Sequence, residues 1–182
     1  MKKIIICFVL LCSFTSNGQL RDNNLNAIDV SAGYVPDGYG VNLGYNLYFS
    51  GSRSNNYLQL SGLYTDSEVT KERFELPYNL FAMNAGYFFH FPLEYREKIN
   101  LNIGGGLTVG FEQLNDGDIE LNTGARLSSD GGFIYGPFVG GEFDFFLSDT
   151  ISFLIKGNWY YHINSEIGDF TLFAGGGFRI FL

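Results

Sequence analysis

Cysteine is almost missing from this chain: of 182 residues only Cys7 and Cys12 carry a thiol, and both lie in the first dozen. That stretch has the form of a secretory leader. Lys2 and Lys3 give it a positive start, and residues 4–14 form an apolar core too short to cross a bilayer as a helix. Ser16 and Gly18 place small residues ahead of an expected cut before Gln19, while bulky Leu11 disfavours a lipid anchor on Cys12. A signal peptide over 1–18 would take both thiols with it. The remaining domain, 19–182, is then expected to have neither a disulfide framework nor a thiol nucleophile.

Two other shortages narrow the reading. After the leader there is no run of ~20 apolar residues, so a membrane helix is excluded and any crossing must be made by strands. Basic residues are few, 11 against 19 acidic ones, for a net charge of −8; loss of Lys2 and Lys3 leaves 9 against 19, or −10. Such a surface repels phosphate backbones, so direct nucleic-acid binding is not expected.

What the chain has in quantity is alternation. From Phe170 the even positions Leu172, Ala174, Gly176, Phe178, Ile180 and Leu182 are all apolar, while the odd positions include Arg179. A period of two is a β-strand with its side chains on opposite faces. The same pattern recurs over 27–34, 39–49, 58–64, around 80–89, and over 99–111, 135–145 and 151–162, which gives eight strands. In the fourth, the register that turns Phe81, Met83, Ala85, Tyr87 and Phe89 outward competes with an apolar inner face of Leu80, Ala82 and Phe88. Residues 66–76 and 112–131 read as charged or polar loops.

Charges share the phase opposite the apolar face: Asp29, Glu142, Asp144, Lys156 and Arg179. A soluble barrel would show the reverse, with charge outside. The expected fold is therefore an all-β, eight-stranded antiparallel up-and-down transmembrane barrel, surrounded by outer-membrane lipid, with both termini periplasmic. Tyr34, Tyr39, Tyr64, Tyr78, Phe111, Tyr135, Trp159 and Phe170 then fall at one level as an outer aromatic girdle.

Candidate chemistry is limited. Glu142 and Lys156 lie almost symmetrically about the turn at Ser148 and Asp149, and Asp29 and Arg179 lie at the ends of strands one and eight, which meet on closure. They are expected to pair inside a filled lumen, with a gate or proton path as the functional alternative. His162, Ser165 and Glu166 offer a base, a hydroxyl and a carboxylate, the parts of a lipid-modifying hydrolase, but are crowded into five positions. His90 has no partner that the sequence can name. Residues 115–120 alternate carboxylates that could hold calcium, without the full spacing of a helical calcium loop. The triplets at 104–106 and 175–177 precede no helix, so they read as strand glycines rather than phosphate loops. No cofactor is expected.

Gly86-Tyr87-Phe88, Gly110-Phe111-Glu112, the run Asp-Gly-Gly-Phe-Ile-Tyr-Gly at 130–136, Glu142, Leu147-Ser148-Asp149 and Phe178-Arg179-Ile180 resemble the TraO family of Bacteroidetes conjugative transposons. The similarity spans 84–182. Phe111 stands where such families usually have tyrosine. The resemblance implies an outer-membrane accessory of a conjugation machine. A barrel too slim for DNA would serve it through protein contacts, with 66–75 and 113–130 as contact segments. A generic adhesion or envelope barrel, and the hydrolase, are the other readings.

Overall fold

The computed structural model describes residues 26–49, 55–71, 74–95, 98–117 and 131–182; the leader and its expected cut lie outside them. Eight strands follow one another in chain order: β1 Asn26–Val35, β2 Gly38–Tyr48, β3 Tyr57–Lys71, β4 Phe74–Pro92, β5 Ile99–Leu114, β6 Gly131–Phe146, β7 Ile151–Tyr161 and β8 Phe170–Phe181. Each pairs antiparallel with the next, and β8 returns to β1, closing the barrel. Closure removes every free edge along the shared height of the wall, which is what allows strands to stand in hydrocarbon.

The wall obeys the period-two rule throughout. Leu43, Met83, Leu107, Val139, Ile155 and Phe178 point outward, and each exposes roughly half or more of its surface. Asn42, Ser61, Asn84, Thr108, Glu142, Lys156 and Arg179 point inward and are buried. A belt of this composition has no favourable contact with water, so hydrocarbon is its solvent. The fourth strand adopts the register with Phe81, Met83 and Phe89 outside, and Leu80, Ala82 and Phe88 are fully buried.

The lumen is a packed core. Aromatic rings from one strand occupy the space that side chains at facing glycines would need. Phe138 lies 2.7 Å from where a Cβ on Gly86 would stand, Phe88 likewise at Gly104, and Phe173 fills the room beside Gly40 and Gly175. Rings also stack on one another, Tyr57 on Phe88 at 5.3 Å and Phe146 on Phe181 at 5.1 Å. This filling is the ordinary fate of an eight-stranded interior.

Three expectations need correction. Residues 66–71 and 74–76, expected in a loop, are strand: β3 runs to Lys71 and β4 starts at Phe74, with pairs from Asp66↔Asn79 to Lys71↔Phe74. Charge there marks the exit from hydrocarbon, not the end of the ladder. For the same reason β5 continues past Phe111, and Glu112 belongs to the strand with its side chain buried inside. Tyr78 shares the inward phase of Leu80 and Ala82 and is 7% exposed, so it is not part of the girdle. Tyr34, Tyr39, Tyr64, Phe111, Tyr135, Trp159 and Phe170 do face outward.

Candidate functional site

Two polar clusters lie in the lumen. The larger is centred on Arg179 of β8, whose register partner across the closing seam is Asp29 of β1. The guanidinium donates through Nε to Asp29 Oδ1 at 2.6 Å and through Nη2 to Asp29 Oδ2 at 2.7 Å, the two-pronged geometry that suits a carboxylate. Nη2 also reaches Glu142 Oε2 at 2.6 Å, and Nη1 reaches Asp144 Oδ2 at 3.1 Å. The charge sits 5.0 Å above the Tyr57 ring.

Glu142 and Lys156 are register partners on β6 and β7, and Lys156 Nζ lies 3.0 Å from Glu142 Oε1 and 3.4 Å from Asp29 Oδ2. Tyr57 donates its hydroxyl to Glu142 Oε2 at 2.6 Å. Gln59 bridges Asp29, Asn46 and Glu142 with one amide nitrogen. The structure thus gathers Asp29, Glu142, Lys156 and Arg179 into one network rather than two separate pairs. It ties β1, β2, β3, β6, β7 and β8 across the lumen. Breaking one arm would strand another charge without solvent, so the cluster locks register and closure together.

The second cluster sits at the other end and was not legible as a site. Glu112 accepts the Ser165 hydroxyl at 2.8 Å and the Tyr78 hydroxyl at 3.3 Å on Oε2, and the Glu166 backbone N–H at 2.6 Å on Oε1. Ile167 packs beside it against Tyr78, Leu80, Ala82, Leu114 and Ile134. Residues 163–169 are thereby clasped over the mouth, helped by a bridge between Tyr135 and Ile163. The inward phase of Thr108, Gly110, Glu112 and Leu114 was the available signal.

His162, Ser165 and Glu166 are not brought together as a triad. Ser165 directs its hydroxyl to Glu112, and Glu166 contributes a backbone N–H there. His162, one residue beyond β7, is buried and lies parallel to the Tyr160 ring at 5.9 Å. Among the described residues neither of its ring nitrogens has a hydrogen-bond partner. Burial pushes its imidazole down to about 4. His90, at the other rim, has Nδ1 2.8 Å from Asn102 Oδ1. In the calcium candidate, Asn115–Gly117 forms a short 3₁₀ turn, and Asp118 and Glu120 lie outside the described residues.

A family model described as "Conjugative transposon protein TraO" matches residues 20–182. The chain belongs to the TraO family. Solved structures similar to this family member are outer-membrane barrels. Neisserial surface protein A is 8% identical with a TM-score of 0.57, over 86% of this chain and 96% of its own. The N-terminal β-barrel domain of Pseudomonas aeruginosa OprF is 13% identical with a TM-score of 0.51, over 87% and 98%. At such identities the likeness is one of fold. No curated protein matches the chain in sequence.

Proposed function

We propose that this TraO-family barrel sits in the bacterial outer membrane with both termini periplasmic, as an accessory of a conjugative DNA-transfer apparatus. It acts by anchoring and protein contact, not by catalysis and not by conducting DNA. The observation that carries this reading is the filled lumen. Aromatic rings seated over glycines and an ion network joining six strands leave no bore that a nucleic-acid strand could use without unfolding the barrel. The acidic balance of the chain argues against a nucleic-acid surface as well.

Partner contact then falls to the segments 66–75 and 113–130, next to a closed wall. An in-frame deletion in the donor tests the reading. Transfer frequency should fall and be restored by the wild-type gene, and by a wall-intact variant altered in those segments only if they are not the contacts. Unchanged transfer with new detergent sensitivity would instead favour an envelope or adhesion barrel. A lipid A profile altered by the deletion and altered in the same way by Ser165→Ala would favour the hydrolase.

A further inference from the structure

One inward row of side chains is polar for almost its whole length. Following register partners from Asp29 leads through Gly44 on β2, Ser61 on β3, Asn84 on β4 and Thr108 on β5 to Gly136 on β6. The bridge between Tyr135 and Ile163 sets His162 opposite Gly136. In the other direction Asp29 leads through Arg179 to Ser152 of β7. The row therefore makes one circuit and comes back ten residues along the chain, from Ser152 in β7 to His162 just past its end. It joins the ion cluster at one end to the clasped mouth at the other.

Its groups are short of partners. Asn84 donates to Ser61 at 3.2 Å. Yet among the described residues Asn84 Oδ1, Thr108 Oγ1 and both His162 nitrogens have none, though all three residues are nine-tenths buried or more. Beside the row, Ser31 and Asn42 face each other in the same condition. A buried polar atom without a partner is costly, and native interiors satisfy such groups with protein or ordered water.

There is also space. At Gly44 an added Cβ would lie 3.4 Å from Asp29 Cβ, 3.6 Å from Asp29 Oδ2 and 3.6 Å from Ser61 Cβ, ordinary contact distances. The lumen thus has a methyl-sized gap between the side chains of Asp29 and Ser61. At Gly40, Gly86, Gly104 and Gly175 an aromatic ring takes that room, and at Gly44 none does.

We propose that this helical seam is a binding site for a file of ordered water molecules running from the ion cluster toward the clasped mouth. Water, which both donates and accepts, suits a mixed set of amide, hydroxyl, imidazole and carboxylate groups better than any ion. The file holds the polar row together where aromatic filling stops, and it is too narrow for solutes.

Two measurements on the full mature chain in lipid nanodiscs decide it. In NMR, the Asn84 side-chain amide should show a cross-peak to water, and its absence overturns the proposal. Thr108→Val and Gly44→Ala give opposite signs for a wet and a dry seam. If water is bound, each removes or displaces a hydrogen-bonded molecule and the urea midpoint falls by about 0.5 M. If the seam is dry, the methyls fill empty space or remove an unsatisfied hydroxyl, and midpoints at or above the wild type overturn the proposal. Should a variant fail to fold, the wild-type cross-peak still decides.

Discussion

Replacing Arg179 with methionine tests the ion cluster most sharply. The change keeps length and apolar stem but removes hydrogen bonds to Asp29, Glu142 and Asp144. Three carboxylates would remain beside one ammonium. Lys156 is already engaged with Glu142 at 3.0 Å and reaches Asp29 only at 3.4 Å. Asp144 would lose the ion pair that holds its Oδ2. Leaving buried charge unpaired costs about 3–5 kcal/mol. With a urea slope of about 2 kcal/mol per molar, the midpoint should fall by roughly 1.5–2.5 M. Urea titration in lipid vesicles, read by Trp159 fluorescence and by the mobility of unheated samples on SDS gels, measures it. Arg179→Lys should recover only part of the loss, because a point charge cannot grip Asp29 with two prongs. Asp29→Asn on the Arg179→Met background should recover some stability, since it removes one orphaned charge. The reasoning fails if Arg179→Met lies within about 0.2 M of the wild type, or if Asn at 29 makes it worse.

Glu112→Ala should release residues 163–169, removing protection from hydrogen exchange at the Glu166 amide and lowering stability by about 1.5–3 kcal/mol for the lost charged hydrogen bonds. His162 is neutral in the fold, with a value near 4 against 6.5 when exposed. The unfolded chain therefore takes up a proton first as pH falls, so stability should decline from pH 6.5 toward 4, and His162→Gln should remove that slope. Trp159, the only tryptophan, is 57% exposed on the outer wall, so lipids brominated near the headgroup should quench it more than lipids brominated near the chain terminus.

Most of the wall could be read from the chain because two neighbouring physical demands repeat every second residue. Leu43, Tyr45 and Leu47 must meet hydrocarbon, while Asn42, Gly44 and Asn46 must fit the lumen. That demand fixed the phase of Glu142, Lys156, Asp29 and Arg179, and adjacency along the meander made their pairing foreseeable. Depth was harder. Alternation says which way Ser67 or Tyr78 points only if the strand is known to continue, and charges at 66, 68 and 75 looked like a loop while the ladder in fact carried on into water. The clasp at Glu112 was hidden for a different reason. Its partner Ser165 lies 53 positions away on a segment with no periodicity, and such contacts depend on how loops fold back over a finished barrel.

The position of Arg179 has a consequence for assembly. The cation that satisfies three acids is carried by the last strand to be made, and its first partner, Asp29, lies on the opening one. Until the final hairpin docks, the nascent sheet holds surplus negative charge facing its own concave side, kept tolerable only by water. Arrival of β8 supplies the counter-ion and seals the cylinder in the same event, so an unfinished chain has no stable dry interior in which to rest.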